Sequence, residues 1–432
     1  MTMFSDIRTV KVEAYKKIVN GFIPKTVYVS LNQNMNTCEE SLVKTGDKVE
    51  EGQEIAKGIY SPIPGIVDGF EMQVMPDGKI SKVVKIKLGG KFSFLGKKKT
   101  PFDYKLFSSS SLIRHIESYG VLNTFFTAKP VLLSKQLEEV SKQKHRILAV
   151  RLIDDDPSRL IDSVLTNEYL DEIISGVQIA SYCINAESVI FIVDKEFNEL
   201  EKLEKSLENS FVLKISSKAF SICNDKLLCK LIKKQFKEET LSKISKYDLF
   251  TDSSSMLELY RCVSKSMPVI DRYVLVNGNC LPATGILKVP VGTSFESIVE
   301  QFGGFIKNPS SVIVNGQITG FSTGSLKVPV TKYVKSISFY SFIKTPDQSV
   351  SLCIRCGRCR NVCPMHLSPD VILRHITGGE AAPADYMKTV KYCIECGLCN
   401  SICPSRLPVM QKMEEYKQSN LNILKEEKDV RR

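Results

Sequence analysis

Two features are missing from this chain of 432 residues, and each absence excludes a class of protein. No stretch approaches 18 consecutive apolar residues, and the best apolar runs, such as 188–193, have the length of a strand, so we expect no membrane-spanning helix. The first residues lead straight into mixed polar sequence without the apolar segment of a secretory leader. We therefore expect a reducing compartment, the cytoplasm, in which cysteines do not form disulfides.

The basic residues are scattered and do not form a compact patch with aromatic side chains. There are 59 lysines and arginines against 48 acidic residues, which gives a formal charge of +11, but 97–99 is the only tight lysine cluster. Such a surface suits an anionic protein partner or an acidic membrane leaflet, and nucleic acid is not an expected partner. The hydrophobic fraction of 43% supports real cores, and the length leaves room for two to four domains.

The most informative pattern is a cysteine motif that occurs twice near the end of the chain. The copies are Cys353-x-x-Cys356-x-x-Cys359-x-x-x-Cys363-Pro364 and Cys393-x-x-Cys396-x-x-Cys399-x-x-x-Cys403-Pro404. This spacing is that of bacterial two-cluster ferredoxins, in which the fourth cysteine of each run ligates the other cluster. We therefore predict one 4Fe–4S cluster on Cys353, Cys356, Cys359 and Cys403, and a second on Cys393, Cys396, Cys399 and Cys363. The protein is predicted to pass single electrons.

Structural zinc is the main alternative for these cysteines. Zinc takes four ligands in one tetrahedral set, so a third cysteine at the next step is surplus for zinc but needed for a cubane cluster. Gly357 and Gly397 occupy equivalent places between the second and third cysteines, where a tight loop needs their conformational freedom. His366 and His375 lie nearby, but eight thiolates already complete two clusters, so they are expected at the surface or behind the ligands. The six other cysteines lack ligand spacing and are predicted to be small buried residues: Cys38, Cys183, Cys223, Cys229, Cys262 and Cys280.

The rest of the chain changes pattern twice. Short alternating strands with Gly and Pro turns predict a small β domain over 26–88, and the segments 43–55 and 61–67 resemble the barrel-sandwich hybrid of biotinyl and lipoyl carriers. The turn 61–65 has no lysine, so a covalent carrier role is not expected. From 108 to 241, strands at 146–153 and 188–194 alternate with helices at 111–119, 162–179 and 196–207, which predicts a parallel, doubly wound sheet. Short strands return over 269–337, with a helix at 296–302, as in a β-grasp unit.

This order of domains resembles the RnfC family, the C subunits of Rnf ion-translocating electron-transport complexes, over most of the chain. The cysteine motif carries the resemblance together with four short segments: Ser61–Val67, Val291–Thr293, Phe302–Gly304 and Pro329–Lys332. The resemblance implies a peripheral subunit on the cytoplasmic face of the membrane that carries two 4Fe–4S clusters. It also implies a flavin and nicotinamide site in the α/β domain, like that of the flavoprotein subunit of respiratory complex I.

The α/β domain departs from that family pattern where a nucleotide would bind. Family members carry a Gly-rich loop whose bare backbone approaches phosphates, whereas 118–127 retains only Gly120 and adds Phe125 and Phe126. The family's acidic turn with cysteine is replaced by 151–157. Three adjacent aspartates there could hold a metal or repel a phosphate, but a helix N-cap with a solvated acidic turn is the commoner arrangement. An FMN and NADH site stays open as an alternative, and the altered loop argues against it.

The predicted fold is a multidomain α/β + β protein with five regions. They are a barrel-sandwich hybrid at 1–100, a Rossmann-like α/β domain at 101–245, a β-grasp (SLBB-like) unit at 246–345, an α-helical double 4Fe–4S ferredoxin module at 346–410, and a solvated, charged tail helix at 411–432. The predicted function is electron transfer in an Rnf-type oxidoreductase acting on the ferredoxin/NAD couple. The partners would be its membrane subunits and a ferredoxin or flavoprotein. Arg355, Arg358 and Arg360 could position an acidic ferredoxin or stabilise reduced clusters, and structural salt bridges are an equal alternative for them. Two alternatives remain open: a soluble iron–sulfur reductase resembling a cobalamin reductase, and a zinc-stabilised scaffold without redox activity.

Overall fold

A computed structural model describes residues 17–33, 38–93, 103–216, 223–341, 352–378 and 384–420. The chain divides into two units, Thr9–Phe342, and Ile343–Arg432 together with Met1–Arg8, and each is described by itself. The larger unit contains two antiparallel or mixed β parts and an α/β part. The smaller unit contains both cysteine motifs and is helical. Among the described residues, no helix combines the length and apolarity needed to cross a membrane.

The first β part of the larger unit is built on a long hairpin. Its strands are β2 (Thr26–Ser30), β3 (Lys48–Val49), β4 (Glu54–Ala56), β5 (Ile59–Tyr60), β6 (Gly65–Val74) and β7 (Ile80–Leu88), after a first strand β1 (Ile18–Asn20) that pairs elsewhere. The sheet order is β2-β7-β6-β3, and β4 and β5 form a separate hairpin. The long hairpin begins at a glycine because a Cβ on Gly65 would lie 2.0 Å from the carbonyl oxygen of Lys87. The predicted turn at 61–65 thus lies where two backbones are in contact.

The α/β part is a four-stranded parallel sheet with helices on both faces. Its elements are α1 (Ser109–Tyr119), β8 (Leu122–Asn123), β9 (Val131–Leu132), α2 (Leu133–Ser141), β10 (Ile147–Arg151), α3 (Ile161–Ile184), β11 (Ser188–Asp194), α4 (Leu200–Glu204), β12 (Ser210–Ile215), α5 (Asp225–Gln235), α6 (Glu239–Ser242), β13 (Leu249–Asp252) and α7 (Ser253–Lys265). The strand order is β12-β11-β10-β13, and every pair is parallel.

Alternate residues of the central strands face opposite cores. Leu148 and Val150 pack with α1, α2, α3 and α7, whereas Ile147 and Ala149 pack with α5 and α6. Burial on both faces is why β10 and β11 are almost continuously apolar, as expected for parallel strands covered by helices. The predicted parallel sheet is confirmed, and its fourth strand and following helix extend it to Lys265. The predicted helix at 196–207 is shorter than expected, since only Leu200–Glu204 is helical.

The second β part of the larger unit is a mixed sheet with one helix. It comprises β14 (Asp271–Asn277), β15 (Gly285–Pro290), α8 (Phe295–Gln301), β16 (Ser311–Val314), β17 (Phe321–Thr323) and β18 (Ser336–Tyr340). The strand order is β1-β15-β14-β18-β16-β17, so the N-terminal strand β1 completes this sheet. Ser294 caps α8 by accepting a hydrogen bond from the Ser297 amide at 3.2 Å. The helix and sheet enclose an apolar core that includes Phe295, Val314 and Phe339.

The smaller unit consists of short helices around the cysteine motifs. These are α9 (Arg358–Val362), α10 (Pro369–Ile376), α11 (Ala384–Thr389), a 3-10 turn (Val390–Tyr392), α12 (Leu398–Ser401) and α13 (Val409–Ser419). Its core contains Ile372, Val390 and Met413, with several cysteines packed against it. Helix α13 supplies Val409 and Met413 to that core, so the predicted tail at 411–432 is helical over 411–419, as expected, but is wrong in being solvated, since Met413 is buried. Residues 421–432 of the predicted tail lie outside the described residues.

Candidate functional site

The two cysteine motifs fold into matching loops. Gly357 and Gly397 precede α9 and α12 with φ values of +71° and +70°, which confirms that these positions need glycine's left-handed conformation. Two residues earlier, Arg355 and Glu395 also have positive φ, at +55° and +57°. The loops of the two copies therefore share the same backbone conformation at these positions. One equivalent pair differs in charge, since Arg355 in the first loop corresponds to Glu395 in the second.

The structure gathers the eight cysteines into two clefts, each lined by four of them. One cleft, of about 370 Å³ and partly open to solvent, is lined by the three cysteines of the first loop and one from the second copy: Cys353, Cys356, Cys359 and Cys403. The other, of about 350 Å³, is lined by the three cysteines of the second loop and one from the first copy: Cys393, Cys396, Cys399 and Cys363. Each cleft thus draws its fourth cysteine from the other copy, in the same grouping as the predicted cluster ligands.

The geometry of the clefts does not resemble a site for one small ion. Among the described residues, no three His, Cys, Asp or Glu side chains converge on a position that could hold a single metal ion. Each cleft is lined by four thiols, and this donor set is the all-thiolate set of a cubane cluster. The fit favours 4Fe–4S clusters over mononuclear zinc, which requires its four ligands in one tetrahedron.

The walls of the clefts are apolar, and two backbone amides lie close to sulfur. Burial raises the pKa of Cys359 to about 11 and that of Cys396 to about 11, so these groups are thiols at neutral pH unless a metal displaces their protons. The Leu367 amide lies 3.4 Å from Cys363 Sγ, and the Glu395 amide lies 3.4 Å from Cys393 Sγ. Amide donors of this kind stabilise the negative charge on coordinated sulfur.

The two loops differ in their exposure. In the first, Ile354 is 65% exposed, and Arg355, Cys356 and Arg358 are exposed as well. In the second, Leu398 replaces the second of these arginines and is only 5% exposed.

Helix α13 covers part of the second loop. Lys417 of this helix donates to the carbonyl of Cys393 at 3.1 Å, and its Nζ lies 2.6 Å from Glu395 Oε1. Met410 and Met413 of the same helix line the second cleft. The second loop is therefore partly covered, whereas the outer face of the first loop is exposed.

Arg360 forms a structural salt bridge, one of the uses that the sequence left open for it. Its guanidinium binds Asp370 through two hydrogen bonds of 2.6 Å, and this pair ties α9 to α10. His366 and His375 are not among the residues that line either cleft. Of the six other cysteines, five are buried as predicted, but Cys38 is exposed, so the prediction is wrong for that residue.

A second candidate site, made of charged residues, lies at the carboxyl end of the parallel sheet, where open α/β sheets bind their ligands. The loop after β10 places Asp154 and Asp156 there, and both are buried, at 7% and 0% exposure. The predicted N-cap is wrong in position, because Leu160 precedes α3 and makes no capping bond. Asp154 nevertheless accepts hydrogen bonds from the Asp162 and Ser163 amides at the start of α3. The predicted solvated acidic turn is wrong, since two fully buried arginines, Arg151 and Arg159, neutralise it from within.

Comparison with known proteins supports the interpretation of the smaller unit. A family model described as "4Fe-4S dicluster domain" matches residues 348–407. This family model covers both cysteine motifs, which supports iron–sulfur electron transfer as the general chemistry of the unit.

Relatives with curated names extend over most of the chain. The C subunit of the proton-translocating ferredoxin:NAD(+) oxidoreductase complex of Clostridium ljungdahlii is 25% identical over 379 residues, which are 84% of this chain and 81% of the relative. The C subunits of the ion-translocating oxidoreductase complexes of Haemophilus influenzae and Vibrio cholerae are 25% and 24% identical over 79% and 84% of this chain. The chain spans 43% and 48% of those two proteins, less than half of their length. The predicted resemblance to the RnfC family is confirmed.

A solved structure is also similar at the level of the chain trace. The crystal structure of NAD+-reducing NiFe hydrogenase in the air-oxidized state matches 72% of this chain and 63% of its own chain, with 13% identity and a TM-score of 0.48. This likeness is too low to carry an argument about function.

Proposed function

We propose that this chain is the electron-carrying C subunit of an ion-translocating oxidoreductase complex, in which two 4Fe–4S clusters pass single electrons. The observation that carries the proposal is the pair of clefts, each lined by four cysteines drawn from both copies of the motif. The relatives' names support the complex, and the family model supports the clusters. The chain would act on the cytoplasmic face of the membrane, peripherally, with the ferredoxin/NAD couple at the ends of the pathway.

The chain's own residues would hold the clusters and separate them from water. A bound 4Fe–4S cluster accepts and releases one electron at a time. The first cleft would be closed over such a cluster by Leu373, Leu407 and Val409, and the second by Leu367, Leu398 and Met413. The Arg360–Asp370 pair fixes the angle between the helices that follow the first loop. Electrons would pass between the clefts within one small unit, because each copy of the motif contributes to both.

The exposed first loop is the expected point of exchange with a partner protein. Its outer surface presents Ile354, Cys356 and two exposed arginines, Arg355 and Arg358, whereas the second loop is covered by α13. A small apolar patch surrounded by arginine favours a transient contact with an acidic protein, and charge complementarity of this kind mainly speeds encounter. A ferredoxin or an acidic flavoprotein fits this surface.

Iron content in cysteine variants tests the assignment of ligands. Purified without oxygen, the chain is expected to hold about eight irons and eight sulfides, and either Cys403→Ser or Cys363→Ser should lower the iron to about four. The double variants decide which cysteines belong together. Cys403→Ser with Cys356→Ser should still hold about four irons because both changes remove one cluster, whereas Cys403→Ser with Cys396→Ser should hold close to none.

Two results would contradict the proposal. If Cys403→Ser paired with Cys396→Ser retains about four irons, the clusters do not share their ligands across the two copies. If zinc replaces iron in the protein purified without oxygen, the unit is a structural scaffold and the chain carries no electrons. Cys38→Ser is the matched control, since Cys38 is exposed and belongs to the larger unit, and it should leave the iron content unchanged.

A further inference from the structure

The carboxyl edge of the parallel sheet has the framework of a nucleotide site. Strands β10 and β13 are neighbours, and they end at Arg151 and Asp252. Helix α7 begins at the residue after Asp252, and α3 begins after the loop that follows β10. In sheets of this type, phosphate groups bind to the free amides at helix N-termini and in tight turns. Whether FMN or NADH can bind here therefore depends on what already occupies those amides.

The chain's own carboxylates occupy these anion positions. Asp154 accepts from the amides of Asp162 and Ser163 at the start of α3, at 3.2 and 3.1 Å. Asp252 accepts from the Ser255 amide at the start of α7, at 2.8 Å. A phosphate placed at either helix would have to displace a buried carboxylate, and it would be repelled by the remaining ones.

A third aspartate accepts hydrogen bonds from the amides of a turn in the second β part. Asp156 Oδ2 accepts from the amides of Ile318 and Thr319, at 2.8 and 3.0 Å. The turn lies so close to this carboxylate that a Cβ on Gly316 would be 2.3 Å from Asp156 Oδ2. The amides of this turn therefore form an anion-binding site that the Asp156 carboxylate already occupies.

Buried cations fill the space between the carboxylates. Lys335, the residue before β18, places its Nζ 2.7 Å from both Asp162 Oδ2 and Asp252 Oδ2, and all three side chains have no exposed surface. Arg159 donates to Thr127 Oγ1 and to the carbonyl of Asn315, each at 3.2 Å, and is also fully buried. These contacts join the sheet edge to the second β part, with opposite charges in direct contact.

Three amides of the loop that would cradle a flavin phosphate also have acceptors within the protein. The Gly120 amide donates to Glu117, the Thr124 amide to Ser255, and the Phe125 amide to the Asn123 side chain, at 2.9 to 3.1 Å. Arg151 lies 4.3 Å above the ring of Phe125, so this side chain lies inside the network.

Gly120 itself is closed off by the first β part. A Cβ on Gly120 would lie 2.3 Å from the carbonyl oxygen of Gly58. Lys332 then bridges the two glycines, since its Nζ donates to the carbonyls of Gly58 and Gly120 at 2.7 and 3.0 Å. The one glycine that survives from the family's loop is thus used for contact between backbones.

A few polar atoms at this edge lack partners among the described residues. Arg151 Nε and Thr251 Oγ1 are buried without a hydrogen bond there. One guanidinium nitrogen and one hydroxyl do not replace the several convergent amides that a pyrophosphate needs. The residues present at the edge therefore do not fit FMN or NADH.

We propose that the carboxyl edge of this sheet is a closed ionic joint between the α/β part and the second β part, and that it binds neither FMN nor NADH. Electrons would then enter and leave the chain only at the smaller unit. This inference concerns the larger unit and does not depend on the assignment of the clusters.

Ligand binding to the whole chain tests the closed edge. The chain purified without oxygen should contain far less than one FMN per chain, and titration with FMN or NADH up to about 1 mM should give no saturable signal. NADH should leave the visible absorbance of the protein unchanged, whereas dithionite should bleach it if the clusters are present. One bound FMN per chain, or saturable binding of NADH, would overturn the proposal whatever the iron content proves to be.

Amide hydrogen exchange tests the joint itself. Asp156→Ala should speed exchange of the amides of Ile318 and Thr319 at least tenfold, because their acceptor is removed, while amides in β18 keep their protection. Glu300→Ala, which removes an exposed carboxylate from the same β part, is the matched control and should change neither rate. Unchanged exchange at Ile318 and Thr319 in Asp156→Ala would show that no joint exists at this turn and would overturn that half of the proposal.

Discussion

Replacing Lys335 by methionine is expected to destabilise the larger unit strongly. Methionine has a similar length but no charge, so Lys335→Met would leave Asp162 and Asp252 buried without their shared cation. Asp252 would keep hydrogen bonds from Thr124 and Ser255, and these only partly offset the loss. Breaking a buried ion pair by removing one partner costs about 3 to 5 kcal/mol, because the remaining charge is uncompensated. We expect the free energy of unfolding at pH 7 to fall by about this amount.

The effect of Lys335→Met should depend on pH in a defined direction. Burial alone would raise the pKa of Asp252, but Lys335 and then Arg151 overcome burial and hold the pKa well below its usual range. A carboxyl whose folded pKa is depressed contributes stability that is present above its unfolded pKa of about 3.9 and is lost as the pH falls toward the folded pKa. Without Lys335, burial would raise that pKa instead. The difference between the wild-type chain and Lys335→Met should therefore shrink as the pH falls from 7 towards about 4.

Urea unfolding followed by circular dichroism measures this effect, since the chain has no tryptophan to report by fluorescence. Lys327→Met is the matched control: Lys327 lies in the same β part but is exposed, and its loss should change the free energy of unfolding by less than about 0.5 kcal/mol. Adding Asp162→Asn and Asp252→Asn to Lys335→Met should recover part of the loss, because neutral amides remove the uncompensated charges. If Lys335→Met is no less stable than Lys327→Met at pH 7, the ionic network does not hold the two parts together.

Two further predictions concern backbone contact and the covering helix. Gly120→Ala should cost about 1 to 3 kcal/mol of unfolding free energy, because Gly120 has a φ of +60° and its new Cβ would meet Gly58. Gly324→Ala is the control, since Gly324 has open space around it, and it should show no comparable loss. Equal stability of the two variants would contradict the packing argument. Lys417→Met should speed loss of iron to a chelator from the second cluster but not from the first, because it removes the contacts between α13 and the second loop. Lys412→Met, which removes an exposed ion pair on the same helix, is the control and should not change the rate. Iron release and EPR of the remaining cluster measure the result.

The features that the sequence predicted well are those set by short stretches of chain: the cysteine motifs, the apolar strands and the loop glycines. The cysteine spacing predicted a grouping of the thiols because cluster ligands recur at fixed intervals, and the structure lines each cleft with the same group, while the ligation itself stays a prediction. The parallel sheet was predictable because strands covered on both faces are apolar throughout, as β10 and β11 are. The two glycines of the loops were predictable because a left-handed turn favours them.

Burial of charge was not predictable in the same way. Three consecutive aspartates usually belong to a solvated turn, and the partners that bury 154–156 are far away in sequence, with Thr319 donating to Asp156 across 163 residues. Lys335 likewise lies 173 residues from Asp162 and 83 from Asp252. Only the packing of the second β part on the sheet edge brings these charges together. The sequence offered one signal of a buried charge in this β part, the resemblance to the RnfC family at 329–332. Lys332 in that segment is buried, and its Nζ donates to the carbonyls of Gly58 and Gly120.

The two copies of the cysteine motif form an internal comparison from which the order of cluster reduction can be argued. Their backbones agree at the left-handed positions, so differences between the clefts come from side chains: Arg355 against Glu395, and exposed Arg358 against buried Leu398. Reduction adds a negative charge, which the arginines and the solvent around the first loop stabilise, whereas at the second loop Glu395 offsets the positive charge of Lys417, with which it is paired. The cluster of the first loop should therefore have the higher midpoint potential, and Glu395→Gln should raise the lower potential while leaving the other in place. A redox titration by EPR in which Glu395→Gln moves neither potential, or moves the higher one, would mean that the loops do not set the order in which the clusters are reduced.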